Sequence, residues 1–270
     1  TVGLCSMNIK NQVPNDIHEN NQFIYPENLQ SQKYLDQINS WTKSKQMKIN
    51  TSKTKVMLFN FTHKYQFRTR LQLTNETIDT VSETKLLGTI LTSDLRWDKN
   101  TQNIVKKAYC RMELLRKLSS FGAPKGDLRT VYLSFIRSLC EQSSCVWNSS
   151  LTVENEDDLE RIQKIAFKII LKDNYKNYQN ALNILELDTL KERRDQLCLQ
   201  FAKKCLSNEK MKNLFPPNNR SHMMKPRNYE HFQVLHANTV RMKKSPVIFM
   251  QTLLNNEVRQ RMDQTKLWSS

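Results

Sequence analysis

Two adjacent carboxylates, Asp157-Asp158, are the first residues in this sequence that could do chemistry, because paired acids can hold a divalent ion. Their neighbours argue otherwise. Glu154, Asn155 and Glu156 precede them, and a helix starts near Thr152. Acids in a first turn favour the helix dipole, so the pair reads as a capping cluster. The thiols and imidazoles raise a second possibility, structural zinc. Cys198 and Cys205 stand seven apart, and His231 and His236 five apart. A structural zinc site usually offers a cysteine pair about two to four residues apart, so buried helical thiols and tail histidines account better for them. What remains is cationic. Lys99, Lys106, Lys107, Arg111, Arg116 and Lys117 recur along one stretch, with Lys48, Lys53, Lys55, Lys85 and Arg96 upstream. Such spreading neutralises phosphates, and it also clothes any solvated helix. Trp97 either stacks on a base or anchors a core. Gly88 lies in a strand-like run, where it marks either a close approach by another group or a bulge.

The elements that must position these residues follow from periodicity. Pro14 and Pro26 break any long helix near the start. From Gln30, the spacing of Leu35, Ile38 and Trp41 predicts a helix that ends in the polar run 42–46. Lys55–Phe59 is rich in strand formers, Phe67–Leu73 alternates and pairs with it, and Ile78–Val81 followed by Lys85–Leu91 predicts a further hairpin. After Asp94 the pattern turns helical. Asn100–Leu118 carries Ile104, Ala108, Met112, Leu115 and Leu118 on one face. Asp127 is expected to cap a helix with Leu128, Val131, Tyr132, Phe135, Ile136 and Leu139 inward. A third helix from Thr152 turns Leu159, Ile162, Ala166 and Ile169 inward. Shorter ones follow over Asn177–Leu185 and Leu190–Leu206, the latter with Leu197, Phe201 and Leu206 on its face. A linker is expected from Glu209, then an amphipathic stretch over Val247–Met262 with Ile248, Leu253, Leu254 and Val258. The fold class is α+β, mostly α. Its expected parts are a small antiparallel sheet over 1–98, a helical bundle over 99–208 and a basic tail over 209–270.

Composition narrows the partner. Of 270 residues, 42 are Lys or Arg and 26 are Asp or Glu, a formal charge of +16 that attracts polyanions, nucleic acid first among them. A hydrophobic fraction of 38% supports a folded core, and only 4 Gly and 7 Pro argue against a barrel or sandwich of many tight turns. No apolar run approaches the roughly 18 residues of a membrane span, and no signal peptide is visible. Six scattered cysteines suit reduced thiols in an intracellular protein.

Several segments then resemble one family. Lys48–Met57 after Trp41 resembles motif D of non-LTR retrotransposon reverse transcriptases, where an N-x-x-K-T core precedes a strand. Lys85–Leu91 resembles the primer-grip hairpin, and Asp94–Thr101 a continuation frequent in jockey-like and chicken-repeat-like elements. Phe135–Ser138, Val146-Trp147 and Leu159–Lys164 resemble the helices that follow. Order and spacing over residues 30–210 carry the match.

The resemblance implies a right-hand polymerase, with 1–98 as the trailing edge of the palm and 99–208 as the thumb. It implies that the thumb cations track an RNA/DNA template-primer, that Gly88 allows close approach of the primer end, and that Lys53 acts as a general acid towards pyrophosphate or neutralises phosphate in an intact enzyme. The catalytic aspartates of the family, an upstream carboxylate and an aromatic-Ala-Asp-Asp turn, are expected to precede Thr1-Val2-Gly3-Leu4, together with fingers and the rest of the palm. No catalytic residue and no cofactor is therefore expected in this chain; Mg2+ belongs to the parent enzyme. Nuclear localisation follows by resemblance. Two other readings remain open: a domesticated basic module that binds nucleic acid without chemistry, and a helical interaction protein with incidental charge. Lost palm strands are expected to leave an exposed apolar edge, which a self-contained module buries.

Overall fold

The computed structural model describes residues 22–23, 27–59, 61, 66–67, 71–218 and 231–267. Thr1–Leu4 and the middle of Phe67–Leu73 lie outside them. The chain is α+β and mostly helical, and it divides into two compact units. The first holds the chain up to Thr84 with Thr92–Leu95, and the second holds Lys85–Leu91 with Arg96 onward.

In the first unit, two-residue strands β1 (Gln22–Phe23) and β2 (Gln66–Phe67) pair in parallel, and helix α1 (Glu27–Ser44) lies between them in sequence. Strands β3 (Gln72–Leu73) and β4 (Glu76–Thr77) form an antiparallel hairpin around Thr74-Asn75, both at positive φ, the geometry whose twist suits a tight hairpin. The Gln32 amide on α1 donates to the carbonyl of Gln72 at 2.8 Å and accepts its N–H at 2.9 Å, so one side chain stands in for a neighbouring strand. Leu73 and Ile78 are buried. The expected strand Lys55–Phe59 does not form. Only Val56 pairs, through its N–H to Asp79 and its carbonyl from Val81, and its bridge partner is Thr80 rather than the segment 67–73. The α1 stripe is also less buried than its periodicity implies: Tyr34, Ile38 and Trp41 are exposed, while Leu35 and Thr42 turn inward.

The expected hairpin of Ile78–Val81 with Lys85–Leu91 is replaced by a tighter one. Strands β5 (Glu83–Leu86) and β6 (Thr89–Thr92) pair with each other, and the chain reverses at Leu87-Gly88, both at positive φ. Gly88 thus occupies a turn, not the middle of a strand.

The second unit is a helical assembly. Helix α2 (Asp98–Ser120) buries Ile104, Ala108, Met112 and Leu115, as its spacing predicts, chiefly against α6 (Val153–Leu171), which buries Leu159, Ile162, Ala166, Phe167 and Ile170. Each large aliphatic side chain withdrawn there contributes about 1.5–3 kcal/mol. Ile169 is only partly buried; Phe167 and Ile170 take the inward face that was expected of it. Thr152 caps α6 by accepting the Asn155 N–H at 3.2 Å.

Between them run α3 (Lys125–Val131), a π-helical stretch Tyr132–Arg137 and α4 (Ser138–Glu141). Asp127 is not the cap of α3: the helix begins at Lys125 after Pro124, leaving Asp127 in the first turn, where it favours the dipole instead. The π turns rotate less per residue than α turns, so Leu128, Tyr132, Ile136, Leu139 and Cys140 face the core and Phe135 is carried out to 44% exposure. Helix α5 (Ser144–Trp147) and α7 (Tyr178–Leu185) follow in order, with Asn177 capping α7.

Helix α8 (Leu190–Leu206) starts with a reciprocal cap between Thr189 and Glu192. Its buried face is Leu190, Arg194, Cys198, Ala202 and Cys205, not the expected Leu197, Phe201 and Leu206. Small residues there allow α5 and α10 to pack against it. Arg194 is fully buried, its Nε donating to Asn148 Oδ1 at 2.8 Å with its guanidinium near the Trp147 ring. The expected linker from Glu209 is structured over its described part. Phe215 is buried and Pro217 bridges Phe232. Helix α9 (Val240–Lys243) leads into α10 (Pro246–Leu267), which packs on α8 through Met250 and Leu254.

One polar network pins the core. The Tyr132 hydroxyl donates to Gln163 Oε1 at 2.5 Å, Gln163 Nε2 donates to the Tyr178 hydroxyl at 2.8 Å and the Asp188 carbonyl at 2.9 Å, and Tyr178 donates to Glu160. Burial, followed by the bond to Glu160, pushes the Tyr178 hydroxyl far above its ordinary value. Gln163 itself is fully buried with both amide ends engaged, so it fixes how α6 meets its neighbours.

Candidate nucleic-acid interface

The expected cations divide between the units. Lys48, Lys53 and Lys55 fall in the first, and Lys85, Arg96, Lys99, Lys106, Lys107, Arg111, Arg116 and Lys117 in the second, together with Gly88.

In the first unit, Asn50 builds a 3-10 turn over Thr51–Lys53 by accepting the Lys53 N–H on its side chain at 3.0 Å and the Thr54 hydroxyl on its carbonyl at 2.8 Å. Lys48 and Lys53 project exposed on either side of that turn. Lys55 is engaged with Asp79 at 2.6 Å, and that lysine lowers the Asp79 carboxyl below its usual value.

In the second unit, α2 provides the scaffold. Its core face is fixed by Ile104, Ala108, Met112 and Leu115, and the helical period puts Lys99, Lys106 and Lys117 on the opposite side, all exposed. Seven and eleven residues separate them, so they span roughly 27 Å along one stripe at about 1.5 Å per residue. Arg116 pairs with Glu113 on the flank of that stripe. Lys107 is half-buried. Arg111 is turned aside: its guanidinium stacks at 4.4 Å on the Phe135 ring and donates to the Phe135 carbonyl, holding the residue that the π turns expelled. The helix ends in Phe121, 85% exposed, and Lys172 donates to the Ser119 carbonyl at 2.7 Å there, where a cation favours the dipole.

The hairpin tip adjoins the start of α2 through two amides. The Asn100 side chain accepts the Ile90 N–H at 3.0 Å, and Gln142 donates to the Leu87 carbonyl at 3.1 Å. A Cβ on Gly88 would stand 2.6 Å from the Gln142 Nε2, so glycine is needed both for the positive φ and for this approach. Leu87 at the tip is 87% exposed, and Lys85 projects exposed from β5. Trp97 is buried, a core anchor rather than a stacking surface.

Asn100 and Gln142 were not singled out in the sequence. An asparagine near a helix start reads as a cap, and nothing in Gln142 signals a partner 55 residues away. Asp157-Asp158 lie in the first turns of α6, with Asp158 paired to Arg161 at 2.9 Å. Cys198 and Cys205 belong to the core under α10, and among the described residues no group of three or more His, Cys, Asp or Glu side chains is placed to hold a metal ion. No described helix is long and apolar enough to cross a membrane. Compared with known proteins, the chain matches no family model, no curated protein and no solved structure.

Proposed function

We propose that this chain is the palm edge, primer grip and thumb of a non-LTR retrotransposon reverse transcriptase, and that by itself it binds an RNA/DNA template-primer without extending it. The observation that carries the reading is the Lys99, Lys106 and Lys117 stripe, backed by the core and begun beside a glycine hairpin that two amides hold in place. A rigid row of cations is what a duplex backbone selects. Lys85 on β5 and Arg96 just before α2 are further exposed cations of the same unit, and Lys48 and Lys53 supply a cationic turn in the other. Nuclear action and a Mg2+-dependent parent enzyme belong to the same reading.

The apolar stripe of Tyr34, Ile38 and Trp41 supports it as well, since the palm strands of such an enzyme are a natural cover for such a face. The rival, a stand-alone basic module, draws support from the second unit, which buries a continuous core of its own. The test is binding of the purified chain to a labelled RNA–DNA hybrid across salt concentrations, with metal and nucleotides added in parallel. Salt-sensitive binding without primer extension is expected. No binding at low salt overturns the nucleic-acid reading, and extension overturns the assignment of a chain without catalytic carboxylates.

A further inference from the structure

The stripe of Lys99, Lys106 and Lys117 runs on into an aromatic ring. At about 100° per residue, the three lysines stay within about 20° of one another around α2. Phe121 follows Lys117 by four residues, about 6 Å further along the axis and about 40° round it. Its φ of −78° keeps it on the helical spiral. The helix closes directly behind it. The Phe121 N–H donates to the Lys117 carbonyl at 3.0 Å, the Gly122 N–H to that of Ser119 at 3.2 Å and the Ala123 N–H to that of Leu118 at 3.1 Å. Gly122 supplies the positive φ of +81° that this closure needs, and Leu118 and Ala123 pack against the core on either side. Nothing in the closure calls for an aromatic residue at its outer corner. Yet the Phe121 ring is 85% exposed, and among the described residues none stacks on it. Exposed cations flank it: Lys117 before, Lys125 at the start of α3, and Lys172, whose ammonium reaches the Ser119 carbonyl at 2.7 Å. They outnumber the exposed Asp127 and Asp173 beside them.

We propose that Phe121 is a stacking platform for an unpaired nucleobase, taken from a single strand that leaves the duplex held by the lysine stripe. Every base offers a flat face, and a ring fixed by backbone hydrogen bonds meets it with little ordering left to do. The flanking lysines neutralise the phosphates on either side of that base. A phenyl ring carries no hydrogen-bonding group, so the platform accepts any of the bases. The inference rests on the reading of this chain as a nucleic-acid binder. It adds a preference for a hybrid that ends in a single-stranded overhang over a blunt one.

The experiment compares the full chain with Phe121→Ala on two labelled RNA–DNA hybrids, one blunt and one with a single-stranded overhang. Wild type is expected to prefer the overhang. Phe121→Ala should lose about 5- to 150-fold in affinity for the overhang hybrid, the range of one base–aromatic stack, and almost nothing for the blunt one. Its salt slope should stay that of wild type, because a neutral ring releases no counterions. The ring lies outside the core, so the variant should unfold in urea as wild type does. A second measurement needs no variant: 5-iodouracil placed along the overhang and irradiated should cross-link to Phe121. If wild type binds neither hybrid, the nucleic-acid reading falls and this inference with it. If wild type binds, but Phe121→Ala matches it on both hybrids or loses equally on both, the stacking platform alone is overturned. Cross-linking that bypasses Phe121 overturns it in the same way.

Discussion

Replacing Gly88 by alanine tests whether the hairpin tip is held by the approach of Gln142. Two costs arise. The residue has a φ of +91°, and an L side chain in left-handed backbone costs about 1–2 kcal/mol, offset by about 0.4–1 kcal/mol from a stiffer unfolded chain. The new Cβ also meets Gln142 Nε2 at 2.6 Å and displaces it from the Leu87 carbonyl, forfeiting a hydrogen bond of about 0.5–1.5 kcal/mol. Because Gln142 is a flexible side chain, it swings away rather than straining the backbone. The sum is about 1–2 kcal/mol. In a Gln142→Ala background the clash and the bond are already gone, and only the backbone cost remains, below about 1 kcal/mol. Urea unfolding of wild type, both single variants and the double variant therefore shows a coupling near 1 kcal/mol, above the ~0.5 kcal/mol scatter of independent sites. Strictly additive effects would refute the contact as the reason for the glycine.

Three further outcomes are expected. Changing Lys99, Lys106 and Lys117 together to Gln should reduce the salt slope of hybrid binding by about 2.7, so the wild type loses roughly 40-fold more affinity than the variant between 50 and 200 mM salt; equal slopes would show that the stripe misses the phosphates. Gln163→Leu leaves the Tyr132 and Tyr178 hydroxyls without their buried amide and should cost about 2–4 kcal/mol in thermal or urea unfolding, whereas a solvent-facing role predicts almost none. Glu257, whose carboxyl is lowered first by Lys203 and also by Arg261, joins α10 to α8. Its contribution is complete above the ordinary glutamate pKa and is lost as pH falls through the lower folded value; amide exchange of α10 should rise over that window in wild type and not in Glu257→Gln.

Long helices were legible in the sequence because a deep core enforces their period. The bounds of α8 were read as they stand, Leu190–Leu206, and the inward residues of α2 follow its apolar spacing. The face of α8 was not legible. Its inward side carries an arginine and two cysteines, and the arginine is accommodated only by Trp147 and Asn148, which lie more than forty residues upstream. The strands were poorly legible for a different reason. A run such as Lys55–Phe59 favours extended backbone, yet pairing needs a partner in register, and only Val56 finds one. At the interface, the cations could be read from residue type, but their employment could not: Arg111 and Lys55 are spent on Phe135 and Asp79, while the amides that set the hairpin came from positions of no evident pattern.

The π-helical stretch at Tyr132–Arg137 makes chain length negotiable at that point. A regular helix turns about 100° per residue, so adding or removing one residue swings everything beyond it off the core. A wide turn already stores one residue of slack. Shortening the segment by the outward Phe135 would tighten it to ordinary α pitch while Tyr132 and Ile136 keep facing inward, and what it surrenders to Arg111 is the ring beneath the guanidinium and the carbonyl that accepts from it. The same deletion within the unbroken period of α2 or α6 would turn half a core face to solvent. Deletion of one residue should therefore be tolerated in this stretch and not along the two helices that it adjoins.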